Sequence, residues 1–380
     1  MLGDLAMDDR MKGAAAGIFF LGYILLQMPG GYVAQRWSAK KLISLCLATW
    51  GICAMACGMV HSFSQLAVAR FFLGFAESGV FPAVMVLLSN WFPAGERVRA
   101  TALVCLSQPL AVAATAPLTG WCLGVFGWRV TLITEGAFAI LLLPIWWLFI
   151  FDRPKDARWL PDEERGYIEK EIAAEGASLE PIEPVPFWRI LLRREVFLLS
   201  AICILYSSDA YGCMTFFTSS LRNREFTGLE YGILFAIPYL ITAVLMILNS
   251  WHSDATRERR GHAAVALSLS GACLILSVIY REYFWISYAF MCFAIPGAFA
   301  VLGPFFAIPA EIFPRAYLGP LIGTVNSVGS LGGFFGPYCV GWLVSVYHSV
   351  SIPFVLMGIG MLTAAALTFL LPKAPKTIGA

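Results

Sequence analysis

The sequence predicts an all-helical membrane protein, and three observations predict it. Hydrophobic residues fill 59% of the 380 positions and charged residues only 13%, against about 25% charge in a soluble domain. The apolar residues come in runs of about 20, the length a bilayer requires, without the alternation or heptads of soluble folds. The basic residues also crowd into one set of connecting segments, as they do in oriented membrane proteins.

The runs predict eleven spans, at about 13–34, 40–60, 64–91, 98–124, 129–151, 195–220, 229–251, 262–281, 283–311, 317–346 and 351–372. The longest exceed a bilayer's thickness and should tilt, bend or project. Between the fifth and sixth spans lies the one long polar segment. It opens with the turn chemistry of DRPKDARWL, continues as a charge-laced helix, and ends in the proline-rich, extended EPIEPVPFW. The chain divides into a helical bundle at 1–151, a linker at 152–194, a second bundle at 195–372 and a tail at 373–380.

Orientation follows from lysine and arginine. With the sides alternated, 19 of the 26 basic residues fall on the side of the linker and the C-terminus, and 6 on the other. That asymmetry makes the linker and tail cytoplasmic. The remaining basic residue, Arg70, lies inside a span.

Several classes drop out. A net charge of +2 gives no reason to expect a nucleic-acid partner. The ten cysteines sit singly in apolar runs without CxxC or zinc-ligand spacing, and the four histidines fall in or beside connections, so no metal or other cofactor is expected. No nucleophile–base pair or phosphate loop suggests an enzyme. The N-terminal segment carries Asp4, Asp8 and Asp9 where a cleavable signal would be basic.

The informative stretch is RFFLGFAESGVFPA, residues 70–83, with two charges inside a span. Each costs about 2.5–3.5 kcal/mol at the centre of a bilayer. Seven residues is nearly two turns, so Arg70 and Glu77 share a face about 10 Å apart along the axis. Two readings stay open: a site facing a polar cavity, or a buried structural pair locking helices together. Counting at about 1.5 Å per residue puts Glu77 near the midplane and Arg70 nearer the outer side. The same depth holds Tyr23 of the first span, Gln108 beside the helix-breaking Pro109, Tyr206, Asp209 and Tyr211 of the sixth, and Asn326 of the tenth. A transporter places its substrate at that depth.

The two halves echo each other. The turn after the first span reads GGYVAQRWSAKK and the one after the seventh reads NSWHSDATRERR. Short basic turns at matching places point to an internal repeat.

With these pieces in hand, the chain resembles the major facilitator superfamily, and within it the anion:cation symporters of organic and sugar acids. The resemblance runs from about residue 13 to 372 and rests on four segments in order. They are RFFLGFAESGVFPAVMVLLSNWFPAGERVRA, the DRPKDARWL linker start, GILFAIPYL followed by HSDATRERR, and NSVGSLGGFFGP. The resemblance implies two six-helix bundles, a central site and alternating access. It also implies a helix before residue 13 that this chain does not carry, most simply through a start placed at an internal methionine. In the first basic turn, Gln35 stands where the family has an aspartate, with Ser38 and Ala39 in the turn. The cytoplasmic latch made by Arg36 and Lys40 should therefore be weakened. The second-half latch keeps Asp254 with Arg257, Arg259 and Arg260.

The roles expected of the residues are these. Arg70, a planar and permanently charged donor, suits a carboxylate or balances Glu77. Glu77 is the proton carrier. The resemblance implies that Tyr23, Gln108 and Asn326 hydrogen-bond substrate hydroxyls and carboxylates, with Tyr211 beside them; helix–helix hydrogen bonding is the alternative for each. Asp209 reads equally as a second proton site, a hydroxyl acceptor or a locally paired group. Glu135 reads as structural with Arg129 a candidate partner, and Glu311 belongs to the cytoplasmic gate.

The function so predicted is import of a small organic anion by proton symport, by a multi-pass monomer in the bacterial inner membrane. A glycine-rich run typical of drug antiporters is reduced here to Pro117 and Gly120 in SQPLAVAATAPLTGW, which favours import over export. A truncated, nontransporting membrane protein is the remaining alternative.

Overall fold

The computed structural model describes residues 3–177, 187–220, 226–313 and 315–372. Most of EPIEPVPFW, the outer-side Arg222 and Arg224, and the tail with Lys373 and Lys376 lie outside the described residues. Every regular element among the described residues is helical.

The chain opens with α1 (Asp9–Arg36), whose first turn is capped by the Asp8 carboxylate accepting from Met11 N at 2.6 Å. Pro29 removes a ladder donor, and the helix bends by 44° between Asp9–Gln27 and Pro29–Arg36. Ser38 caps α2 (Ala39–Met59), and Ser62 caps α3 (Phe63–Glu77). Only Ser78 and Gly79 separate α3 from α4 (Val80–Trp91), so the third predicted span is one rod broken directly after Glu77. The fourth and fifth predicted spans run together as α5 (Ala94–Leu141), interrupted at Gly127 with φ 77°, and continue into α6 (Leu143–Phe149). Glycine at that position relieves the steric cost of a positive φ.

The linker holds a 3-10 turn at Pro154–Asp156, then α7 (Asp162–Ala177) and α8 (Phe187–Leu191). It is fastened to the preceding helices. Asp152 accepts from Ser38 Oγ and Lys40 N, the Trp91 indole donates to Phe151 O at 2.7 Å, and Trp159 stacks on Trp91. After it come α9 (Arg194–Ser220), α10 (Gly228–Thr256) with a Thr227–Glu230 capping box, and α11 (Arg260–Ile279). Then follow α12 (Phe284–Ala300), α13 (Leu302–Ile312), α14 (Arg315–Tyr347) and α15 (Ser351–Thr368).

Among the described residues, eight helices are long and apolar enough to cross a membrane, or nine if the bent α1 is one span. This is fewer than the eleven expected from the sequence. The difference has a physical origin: Arg99–Phe149 counts as one 51-residue stretch because Gly127 breaks it without a loop, and α14 stands outside the count. Outward faces are apolar, with Leu103, Leu141, Trp251 and Val265 each about two-thirds exposed, as lipid-facing side chains are.

The largest apolar cluster is built from α9 to α15 with Ala113 of α5 inserted, and two smaller clusters lie among the helices before the linker. Helices before and after the linker meet along two seams, α1 with α14 and α5 with α10. Away from the linker end, both seams close backbone to backbone. A side chain at Gly13 would overlap the Pro337 carbonyl, and one at Gly120 would overlap the Gly228 carbonyl. Small residues permit that approach.

Candidate functional site

Small residues also set the site. A Cβ at Gly74 would overlap the Phe19 carbonyl, and one at Gly22 the Phe71 carbonyl, so α1 and α3 run in backbone contact. This contact carries Tyr23 up to Glu77 at the end of α3, near enough for the two to interact electrostatically. The break that follows Glu77 is stabilised locally: Ser78 N donates to Gly74 O at 3.0 Å and Ser78 Oγ to Phe75 O at 2.8 Å.

Arg70 and Glu77 are each only partly buried and feel each other electrostatically. Yet neither makes a hydrogen bond or an ion pair within 4.0 Å among the described residues, and the Arg70 Nε is buried without a partner. The locked structural pair is therefore not what forms. Arg70 stands mid-way along α3 and Glu77 at its end, with no hydrogen bond or ion pair to either among the described residues.

Around them the predicted residues assemble in part. Tyr211 lies beside Gln108 and interacts with Glu77, and its ring centroid lies 4.4 Å from that of Phe20. Tyr23 lies beside Gln27, which the sequence reading did not single out. Gln27 is 6% exposed and bridges the α1–α14 seam: Ser327 Oγ donates to its Oε1 at 2.8 Å, and its Nε2 reaches Ser330 Oγ at 3.5 Å. Ser330 Oγ also donates to Asn326 O at 2.9 Å, while the Asn326 side-chain amide, partly exposed, makes no hydrogen bond among the described residues. A continuous polar layer thus runs from α3 through α1 to α14 and across to α9 and α5.

Asp209 is not in that layer. Two residues on a helix turn through about 200°, so Asp209 and Tyr211 face nearly opposite ways. Asp209 is 2% exposed and accepts from Ser270 Oγ at 3.2 Å and Cys213 Sγ at 3.6 Å, between α9 and α11. These bonds match its reading as a locally paired group and set the carboxyl apart from Glu77 and Tyr211. Tyr206 likewise turns inward, with Cys203 Sγ 3.5 Å from its hydroxyl.

The expected gate is redistributed. Asp254 pairs with Arg259, and Arg259 Nε lies 3.5 Å from Glu311 Oε1. Arg257 instead ends α10 in the left-handed conformation, φ 50°, and Arg260 donates to the carbonyls of Thr368 and Phe369. Arg36 lies over the Tyr32 ring, and Lys40 Nζ donates to Trp147 O at 2.7 Å, so both are held among the helices before the linker. Glu135 accepts from Thr119 Oγ1 at 2.8 Å, not from Arg129. Arg129 pairs with Asp4 at 3.0 Å, and hydrogen bonds from Trp128 and Arg129 hold the Asp4 carboxyl below its usual range.

A signal for the missed residues was present: Gln27 lies one turn beyond Tyr23, and Ser327 and Ser330 lie one and four positions after Asn326. Partners at i+4 share a face.

The chain and its helix arrangement have counterparts among known proteins. A family model described as the Major Facilitator Superfamily matches residues 1–337. A chain named a putative tartrate transporter, from Agrobacterium vitis, is 29% identical over 385 residues, covering 99% of this chain and 85% of that one. A chain named a quinolone resistance transporter, from Acinetobacter baumannii, is 26% identical, covering 97% and 87%. Among solved structures, a bacterial homolog of the human lysosomal transporter Spinster, inward-facing and occupied, superposes with a TM-score of 0.74 at 17% identity, covering 98% of this chain and 91% of that one. At that identity the likeness is one of fold.

Proposed function

Because the chain belongs to the Major Facilitator Superfamily, whose members are multi-pass membrane transporters and not enzymes, we propose that it imports a small organic anion by proton symport. The observation that carries this reading is the pair Arg70 and Glu77, opposite charges on one helix with no hydrogen bond or ion pair among the described residues. Charges retained at that depth at a cost of about 2.5–3.5 kcal/mol each call for a ligand that meets them. The similarity to a chain named for tartrate supports a carboxylate as that ligand.

In this reading the Arg70 guanidinium takes the carboxylate through parallel N–H donors. Tyr23, Gln108, Tyr211 and Asn326 supply hydrogen bonds from both sides of the seams. Glu77 holds the proton. With a monoanion bound and Glu77 protonated, the anion balances Arg70, the loaded site is neutral, and the helices can rock. The hinges are the Pro29 bend of α1 and the Ser78–Gly79 break. Two bundles, 1–151 and 195–372, would move about the site as eleven spans, joined by a cytoplasmic linker at 152–194 with a cytoplasmic tail at 373–380. The bias of basic residues supports that orientation and a place in a bacterial inner membrane, and the chain would act as a monomer. Asp254, Arg259 and Glu311 would form the second-half cytoplasmic latch, with Arg36, Lys40, Arg257 and Arg260 bordering it.

A second reading, proton-driven export, is favoured by the relative named for quinolone resistance. Proteoliposomes separate the two. Labelled tartrate and gluconate should accumulate under an inward proton gradient and cease to do so with a protonophore. No gradient-dependent movement of either anion, with a quinolone driven against the gradient, would replace import by export.

A further inference from the structure

The stretch NSWHSDATRERRGH carries two of the chain's four histidines, and the transport reading uses neither. The structure puts them together across the connection from α10 to α11. His252 Nδ1 and His262 Nε2 stand 2.6 Å apart, with ring centroids 4.9 Å apart. The other nitrogen of His262, Nδ1, lies 3.0 Å from Glu258 Oε2. Glu258 is itself fixed at the start of α11, where its two oxygens accept from Gly261 N at 2.7 Å and His262 N at 3.2 Å. Because Glu258 meets the far side of His262, the three side chains form a row. They do not converge, and no group of three that could hold a metal ion exists among the described residues. The row is open to water, with His252 and Glu258 both exposed.

Such a row has room for a fixed number of hydrogens. An ionised carboxylate only accepts, so His262 Nδ1 carries hydrogen. Two ring nitrogens at 2.6 Å hold one hydrogen between them. In the neutral pair that hydrogen belongs to His252 Nδ1 and points at the bare Nε2 of His262. A first added proton can sit on the outer Nε2 of His252, which leaves the bridge intact. A second would put hydrogens on both facing nitrogens and a positive charge on both rings. Like charges in contact repel, so the second proton goes on only as the rings part. The charged groups around the pair are Asp254 on α10, Arg257, Glu258 and Arg259 in the connection, Arg260 on α11 and Glu311 on α13. The neighbouring α12 and α15 carry no Asp, Glu, His, Lys or Arg. Asp254 and Glu311 are already met by Arg259, which leaves Glu258 to balance one imidazolium but not two.

We propose that His252, His262 and Glu258 form a pH-sensitive clasp that joins α10 to α11 and slows transport when the linker side turns acid. The clasp closes the same connection that holds Arg259, so parting it frees the bridge from Asp254 to Glu311. A carrier that brings protons in with its substrate would thereby slow as they accumulate. The effect on transport rests on the transport reading; the clasp rests on the row alone.

The test is anion exchange in proteoliposomes with equal pH on both faces, at about pH 7.5 and about pH 5.5, across the range where histidine ordinarily titrates. His252→Gln can still donate to His262 but cannot take up a proton. At the higher pH it should exchange tartrate as fast as the unaltered protein. At the lower pH the unaltered protein should fall behind it by about fivefold or more, the low end of coupling between sites. Glu77, His61 and His348 are common to both proteins and cancel in the ratio. Residues 252–262 should also lose protection against hydrogen exchange over this range, relative to an unstructured peptide at each pH, and keep it in His252→Gln. A ratio equal at both pH values overturns the regulation, and level protection in the unaltered protein overturns the clasp. No exchange of tartrate or gluconate at either pH removes the transport reading and the regulation with it, and protection then decides the clasp. His262→Gln leaves a single imidazole in the row and should match His252→Gln, so either variant serves should the other not fold.

Discussion

Gln27 and Ser327 stand 300 positions apart in the chain and share a hydrogen bond of 2.8 Å across the α1–α14 seam. The bond sits where α1 begins to bend, two residues before Pro29. On one side of it the seam is backbone packed on glycine; on the other, α1 turns onto α4, with Gly31 facing Pro82. Gln27 is thus the last polar tie before the two sets of helices diverge, and through Tyr23 it is joined to Glu77.

A double-mutant cycle measures that tie. Gln27→Leu and Ser327→Ala, singly and together, should show a coupling of about 0.6–1.7 kcal/mol in detergent unfolding, the range of side-chain bonds between membrane helices. Additive effects would mean that the bond contributes nothing to holding the seam.

The glycine seam predicts a trapped state. In Gly120→Leu the new side chain overlaps the Gly228 carbonyl, so the end away from the linker should fail to close. Spin labels at Phe126 and Leu229, both exposed, should move apart by several ångströms relative to the unaltered protein. Steady-state transport should cease while anion binding persists. Unchanged label distances with normal turnover would show that this seam does not open and close.

The connection from α10 to α11 separates two neighbouring arginines. Arg259 links Asp254 to Glu311, so Arg259→Ala should slow transport by about tenfold or more and lower stability by roughly 1–3 kcal/mol, as loss of a partly buried charged hydrogen bond does. Arg257 ends α10 at φ 50°, where glycine is better suited, so Arg257→Gly should raise stability by about 0.5–1 kcal/mol. A stability loss in Arg257→Gly would return that side chain to the latch.

Acid should release the N-terminal segment. Hydrogen bonds from Trp128 and Arg129 hold Asp4 below its ordinary value of 3.8. A carboxyl depressed in the folded state adds its stabilisation fully above the ordinary value and loses it as pH falls through the lowered one. The protection of residues 3–7 against hydrogen exchange, taken relative to an unstructured peptide at the same pH, should therefore stay level from pH 7 to pH 5, with any loosening confined to lower pH. Loosening already at pH 5 would mean that another group makes the tether.

The sequence showed the membrane class, the long linker and the charged third span, because hydropathy and charge are local properties of the chain. It also put Tyr23, Gln108 and Tyr211 at the depth of Glu77, near which the structure gathers them, because depth along a span can be counted. Asp209 was left open because depth says nothing about azimuth: only the structure shows that it faces Ser270 of α11. Gln27 was missed for the converse reason, since its worth lies in serines on α14 that the sequence does not bring near. The boundary between the fourth and fifth spans was legible as well: the expected gap at 125–128 holds Gly127, whose φ of 77° kinks one helix into the next with no loop between them.

The claim that most of the mechanism depends on is that Glu77 carries the coupled proton. The direct measurement is uptake and exchange by Glu77→Gln in proteoliposomes. The variant should lose uptake driven by an inward proton gradient while counterflow exchange of the same anion continues, because a permanently neutral side chain can bind and turn over but cannot release a proton. Gradient-driven uptake at the rate of the unaltered protein would contradict the claim and place the coupled proton on another group.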